Sequence, residues 1–366
     1  MIRHATLDDI DALLEIENVC FETDRISRRS FRHLLSKGHA ATIVDDEAGV
    51  LRGYTMVLFH AGLSLARLYS IAVAPGFQGQ GIGHCLVDAA EQAARDNGCV
   101  YMRLEVRRDN AASLAMFRSH GYRQFAILDD YYEDHMEALR FEKMLVPHLS
   151  PELAHVPFYE QTLEFTCGPA ALLMAMKALD PSIELSRRLE IRLWRESTTV
   201  FMTSGHGGCG PYGLALAAQK RGFEVEVFVS DEGALFVDSV RSAEKKEVMR
   251  IVQEDFLDEI SRKPIAVHYR RITLAELRRQ FDEGAIPLVL ISSYRIYQEK
   301  FPHWVVVTGF DDRFIYAHDP FVDREKGKVR ADCINMPILQ TEFERMARYG
   351  KSGQRSVLII RKRKGR

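Results

Sequence analysis

What the sequence lacks narrows it first. No apolar run in its 366 residues reaches the ~18 that a membrane-spanning helix needs. The opening MIRHATLDDID has no apolar stretch of the kind that drives secretion, so a cytoplasmic chain is expected. Neither sign of charge dominates: 49 Lys and Arg stand against 51 Asp and Glu, a net charge of -2. Bulk electrostatics therefore offers no footing for nucleic acid or an anionic membrane, and neither is expected as a partner. Cysteine is sparse. The six (Cys20, Cys85, Cys99, Cys167, Cys209, Cys333) show neither zinc-site spacing nor a disulfide framework. No metal is expected, a reducing compartment is, and single thiols remain free for chemistry. The basic run Arg361–Arg366 reads as a solvated terminus.

What is present is ordinary globular material, 46% hydrophobic and 27% charged. The length suits two domains. Strand and helix patterns alternate over residues 1–146; a stretch with Pro147 and Pro151 follows, and a new helix signal begins soon after. The expected organisation is a first domain at 1–146, a linker at 147–155 and a second domain at 156–366.

In the first half, Arg67–Ala74 reads as a buried strand stopped by Pro75-Gly76. Gln78-Gly79-Gln80-Gly81-Ile82-Gly83 then opens a helix with Ile82, Leu86, Ala89, Ala90 and Ala93 on one face, closed by Asn97-Gly98. A glycine-rich turn at a helix N-terminus exposes backbone N–H groups under a positive dipole, and so suits a pyrophosphate. The spacing is not the G-x-G-x-x-G of dinucleotide folds, nor is there a G-K-[ST]. A second strand, Arg103-Leu104-Glu105-Val106, is followed by a short helix at Asn110–Phe117, then Gly121-Tyr122, Tyr131-Tyr132-Glu133-Asp134 and a strand at His135–Leu145.

These motifs resemble the GNAT N-acetyltransferases, specifically the ribosomal-protein N-terminal alanine acetyltransferase type. The resemblance implies acetyl-CoA as cosubstrate. It implies backbone contacts to the pyrophosphate from Gln78, Gly79, Gly81, Ile82 and Gly83, strand backbone from Ile71 and Val73 toward the pantetheine and acetyl group, and contact of Asn110 with the CoA arm. Glu105 takes the place of the general base, a task that requires burial to raise its pKa. Phe117 stands where the family carries an acidic Tyr, so Tyr131, Tyr132 or water must supply the proton, or the half only senses acyl-CoA.

In the second half, Cys167-Gly168-Pro169 precedes the helix Ala170–Leu179, which puts the thiol at a helix start where the dipole favours the thiolate. Gln161 stands six residues earlier. His206, His268, His303 and His318 are the candidate bases. A hairpin turning at Asp311-Asp312 sets His303 opposite Asp319, while His318 points to the other face. Cys209-Gly210-Pro211 repeats the Cys-Gly-Pro signal, with Thr203 at the offset where Cys167 has Gln161. Thr166-Cys167-Gly168, His303-Trp304-Val305-Val306 and Asp319-Pro320 resemble the double-glycine-leader cysteine peptidases that mature bacteriocins, of the papain-like clan. Thr166 replaces the family Asp before the Cys. The resemblance implies Cys167 as nucleophile, His303 as base, Asp319 as its orienting carboxylate and Gln161 as an oxyanion donor.

The expected fold class is α+β and α/β in two domains: a GNAT mixed sheet with helices, then a papain-like fold with an antiparallel sheet and a catalytic helix. The expected function is a bifunctional N-acetyltransferase and cysteine peptidase acting on a peptide or protein, including its N-terminus. The alternatives are an acyl-CoA-sensing first half that regulates a peptidase, and an amidase or transpeptidase in the second.

Overall fold

The structure, a computed structural model, describes residues 1–146, 149–198, 201–202, 205–230, 232–237, 240, 242–299, 301–326, 328–350 and 352–363. Pro147 and His148 of the expected linker, Thr203, the His206 side chain and the last three residues of the basic tail lie outside the described residues. The chain packs as two units, Met1–Leu149 and Ser150–Arg366.

The first unit runs β1 (Ile2–His4), α1 (Ile10–Cys20), α2 (Arg28–Ser36), β2 (Ala40–Glu47), β3 (Val50–Phe59), β4 (Leu65–Val73), α3 (Ile82–Asp96), β5 (Tyr101–Arg107), α4 (Ala111–Ser119), β6 (Arg123–Leu128) and β7 (Ala138–Met144). Its sheet has the order β1-β2-β3-β4-β5-β7-β6. Pairing is antiparallel except between β4 and β5, which is parallel. The buried stripe of α3 is Ile82, Leu86, Val87, Ala90 and Ala94, at the helical period, with Ala89 and Ala93 at its margin. The expected strand from His135 begins only at Ala138, because His135 has φ +66° and closes a turn onto Tyr132 O. β6 gave no sequence signal: it is an edge strand with Phe125 and Ile127 exposed, so its apolar residues mark no core face.

The second unit runs β8 (Glu152–Leu153), α5 (Cys167–Leu179), α6 (Arg187–Ser197), β9 (Phe201–Met202), β10 (Gly205–His206), α7 (Pro211–Lys220), β11 (Phe223–Val229), α8 (Ala243–Ser261), β12 (Ile265–Tyr269), α9 (Leu274–Asp282), β13 (Ile286–Ser292), α10 (Tyr294–Tyr297), β14 (Pro302–Phe310), β15 (Phe314–His318), β16 (Met336–Leu339), α11 (Gln340–Met346) and β17 (Ser356–Lys362). Its sheet has the order β12-β11-β17-β13-β14-β15-β16. It is antiparallel apart from the β11–β12 pair. Residues 220–285 supply β11, α8, β12 and α9.

Two sequence expectations need correction. The interval 147–155 is not all linker, since β8 pairs with β14 at Gly309 and Phe310. Helix α5 starts at Cys167 rather than Ala170, and every residue from Cys167 to Met176 is buried. That uniform burial follows from composition: Ala, Leu and Met surround the helix, which packs with α7 in one apolar core against Leu288, Leu290, Trp304, Val306 and Leu358 of the sheet. No helix among the described residues is long and apolar enough to cross a membrane. None of their His, Cys, Asp and Glu side chains gather into a metal-binding group.

Candidate functional site

In the first unit the cofactor loop follows β4. Gly79 and Gly81 have φ +76° and +80°, a region that L side chains rarely adopt. A Cβ at either would meet nothing within 4 Å, so the loop's outer side is open. Gly81 caps α3, and the first N–H groups of that helix have no intrahelical acceptor. Gly83 is glycine for a different reason: a Cβ there would lie 3.0 Å from Met116 Sδ. This donor set, with its open approach, fits the pyrophosphate of acetyl-CoA. β4 and β5 pair only from Leu65–Leu68 with Tyr101–Leu104, while the strands continue to Val73 and Arg107. The wedge so formed lies along Ile71 and Val73, both half-buried. Val73 O accepts from Gln78 Nε2 at 3.1 Å. Asn110 Oδ1 is spent on capping α4, at 3.0 Å from Ser113 N.

Glu105 does not have apolar surroundings. Arg67 Nε lies 2.9 Å from its Oε2 and Arg140 NH2 2.8 Å from its Oε1, and all three side chains are at most 5% exposed. Arg67 also donates to Tyr131 Oη at 2.7 Å. Tyr132 lies against Arg107, and its phenol is pushed up by burial, reinforced by Tyr131 and Glu105. Phe117 is buried against Tyr122 and serves the core. A carboxylate that the sequence reading missed sits elsewhere: Glu17 of α1 is buried, accepts from Tyr54 Oη and Ile26 N, and Tyr54 Oη lies 2.8 Å from Ser70 Oγ on β4. Burial raises its pKa, against those hydrogen bonds.

The second unit gathers Cys167, His303 and Asp319. His303 Nε2 lies 2.6 Å from Asp319 Oδ1, and the Cys167 thiol is among the groups that raise the pKa of the same imidazole. With Nε2 taken by the carboxylate, Nδ1 is the nitrogen left for sulfur. Cys167 is 9% exposed, His303 1% and Asp319 0%. Burial alone would lower the imidazole pKa; Asp319 and the thiol outweigh it and push it up to about 10. Burial likewise opposes the Asp319 charge, yet His303, Lys328 and Tyr297 hold the carboxyl below its usual range.

The pair is reached by a different route from the one the sequence implied. β14 carries an irregularity between Val307 and Gly309, and the last pairs of the hairpin are Val307 with Ala317 and Val306 with His318. Continued one residue past β15, that register sets Asp319 level with Val305, diagonal to His303. Diagonal neighbours on one face stay within reach of long side chains. Two of the other candidate imidazoles are otherwise engaged. His318 bonds Val156 O and Asn335 N, and His268 lies on Phe228 with its Nε2 3.2 Å from Glu226.

Gln161 departs from its expected role. Its Nε2 donates to Leu163 O at 2.9 Å and Glu164 O at 3.2 Å, so both amide hydrogens hold its own loop. Its backbone N–H donates to Pro320 O, which ties the loop before Cys167 to the residue after Asp319. Glu190 of α6, which gave no signal in an amphipathic helix, organises that loop. Fully buried, it accepts from Tyr159 Oη, Thr162 N and Oγ1, and Thr166 Oγ1, the last at 2.5 Å. Tyr297 also went unread; its hydroxyl donates to Asp319 Oδ2 at 2.5 Å.

Cys209 lies beside the first turn of α5 but lacks this equipment. A Cβ on Gly168 would fall 3.3 Å from Cys209 Cβ and 3.1 Å from Trp304 Cδ1, and Trp304 Nε1 donates to Cys209 O. The Cys209 thiol is buried and pushed up by burial, then by Cys167. The second Cys-Gly-Pro turn thus packs against the first.

Comparison with known proteins agrees with this division. Residues 156–361 match the Peptidase_C39 like family, and residues 10–122 match the Acetyltransferase (GNAT) family. An N-alpha-acetyltransferase of Sulfolobus acidocaldarius is 30% identical over 148 residues, 37% of this chain and 88% of that protein. A ribosomal protein bS18-alanine N-acetyltransferase of Salmonella typhimurium is 39% identical over 70 residues, 19% of this chain and about half (47%) of that protein. The crystal structure of the ribosomal-protein-S18-alanine N-acetyltransferase from Escherichia coli superposes with a TM-score of 0.37 at 24% identity, covering 41% of this chain and 98% of that one. The chain therefore belongs to the Peptidase_C39 like family through its second unit, and its first unit is a GNAT N-acetyltransferase domain.

Proposed function

We propose that the chain is a bifunctional enzyme: a cysteine peptidase acting through Cys167, and an acetyl-CoA-dependent transferase acting on an amine such as a peptide N-terminus. The observation that carries the peptidase reading is the buried group Cys167, His303 and Asp319, with the imidazole held by the carboxylate at 2.6 Å and raised in pKa by both neighbours. Cys167 Sγ attacks the scissile carbonyl, and the C–N bond breaks as His303 protonates the leaving amine. Water, deprotonated by His303, then releases the acid and restores the thiol. The Cys167 N–H, at the start of α5, would receive the oxyanion. Gln161 joins it only by giving up Glu164 O, the longer of its two bonds. Incubation of a peptide library with the full chain, followed by mass spectrometry, tests the reading. Cleavage that survives His303→Ala would end it.

Bound acetyl-CoA supplies the activated acetyl group. The loop at Gln78–Gly83 would hold its pyrophosphate, and Ile71 and Val73 would line its reactive arm. Of the candidate acids Tyr131 is the better placed, with its hydroxyl on Arg67. Acetyl-CoA is expected to raise the thermal midpoint of the first unit, by about 2.7 kcal/mol of stability at a hundredfold excess over Kd. Gly81→Glu should remove the shift through bulk and like charge. Calorimetry without a binding heat would sink the cofactor assignment. A sensor reading of the first unit, without transfer, is favoured by one feature, the double clamp on Glu105. Acetyl-CoA binding with no acetylated product across the library would select it.

A further inference from the structure

Asp319 is a carboxylate with no exposure, and such a group persists ionised only where the fold supplies compensation. His303 gives one bond and Phe321 N a second at 2.8 Å, both to Oδ1. Oδ2 takes the Tyr297 hydroxyl, which also touches Phe321 O at 3.0 Å. Behind Tyr297 stands Lys328, 5% exposed, whose Nζ lies 4.2 Å from the ring centroid and has no hydrogen-bond partner among the described residues. A buried ammonium with neither acceptor nor ion pair among the described residues is costly, and a loop that only needed to pack there would be served by methionine. Its field is not wasted, because an ammonium over an aromatic face polarises the phenol toward the carboxylate that accepts from it.

We propose that Lys328 and Tyr297 are positioning residues for the Cys167 site: the ammonium acts through the phenol to keep Asp319 ionised and in line with His303. The inference rests on the peptidase reading above. The charged and titratable groups acting on this corner are His303, Asp319, Asp323, Asp332, Glu160, Cys167 and Cys333. Lys328 opposes the several acids among them. Burial raises the Asp319 carboxyl, and Lys328 and the Tyr297 hydroxyl are among the groups that lower it.

The sign of the test follows. Without Lys328 or the phenol hydroxyl, Asp319 takes its proton at a higher pH, and His303 loses its counterion there. Iodoacetamide labelling of Cys167, read by peptide mass spectrometry on the full-length protein between pH 3 and 9, reports this without any substrate. Lys328→Met and Tyr297→Phe should each move the acid limb of labelling upward by about one pH unit, a tenfold loss of rate on that limb. Lys328→Arg should restore most of it. Tyr297→Phe keeps the ring, so it reads the hydroxyl even if Lys328→Met folds poorly. Wild-type labelling no faster than in His303→Ala would defeat the peptidase reading itself. His303-dependent labelling whose acid limb stays in place in both variants would defeat only this inference, as would a lowered thermal midpoint without movement of the limb.

Discussion

Cys167→Ala should abolish amide cleavage, and Asp319→Asn should lower kcat by about 10²–10⁴ with little change in fold, because the amide cannot anchor the imidazolium that the carboxylate does. Iodoacetamide should label Cys167 ahead of Cys209 and Cys333, whose thiols are buried and pushed up. The pH dependence has a defined sign. The imidazole rises from its ordinary 6.5 to about 10, so its contribution to stability is complete below 6.5 and is lost as pH climbs through about 10. Asp319 is lowered from its ordinary 3.8, so its contribution is present above that value and is lost as pH falls below it. The pair is strongest between those ordinary values. Cleavage should decline on the alkaline side as the imidazolium that protonates the leaving amine disappears. Selective loss in Cys209→Ala, with Cys167→Ala still active, would move the nucleophile to the other turn.

Glu105→Ala should lower the thermal midpoint of the first unit by about 6–20 °C. Removing one partner of a buried charge cluster costs about 3–5 kcal/mol, here the carboxylate with which both Arg67 and Arg140 pair, and each kcal/mol is about 2–4 °C at this size. Glu105→Gln should cost less, since one oxygen remains to accept from a guanidinium. A catalytic base would behave differently, with kcat falling a hundredfold or more in Glu105→Gln while the midpoint holds. Differential scanning calorimetry beside acetyl-transfer kinetics separates the two. The Arg67 link to Tyr131 means that the same substitution also loosens the candidate acid.

The sequence carried the parts of this protein whose signals are local. The glycines at 79, 81 and 83, the helix start at Cys167 and the Asp311 turn, where Oδ1 accepts from Arg313 N and Phe314 N, are set by neighbouring residues and could be read there. What escaped depends on distant partners. Nothing in RRLEIRLW marks Glu190 as the acceptor for a loop some 25 residues earlier, and nothing near Lys328 announces the ring of Tyr297. The pairing of His303 with Asp319 was expected from symmetric counting about a turn. An irregularity at Thr308 shifted the register, and side-chain reach restored the contact. Glu105 shows the converse. Its place on the strand was legible, but its character was set by Arg67 and Arg140 from neighbouring strands, and no spacing within its own strand reveals them.

Gly309 and the segment that packs on it decide where the second half can be cut. A Cβ on Gly309 would lie 2.5 Å from Leu153 Cδ2 and 2.6 Å from Glu152 O, so only glycine admits β8 at that point. Just beyond, Ala154 N donates to Thr308 O at 2.8 Å, and Val156 O receives His318 Nε2. A fragment opening at Val156, where the family match begins, would strip this cover and leave open backbone at 308–310 on the strand that bears His303. Such an edge recruits other chains. A fragment opening at Ser150 retains the cover, so the two should part in solution, the longer monodisperse and the shorter prone to self-association with a disturbed imidazole.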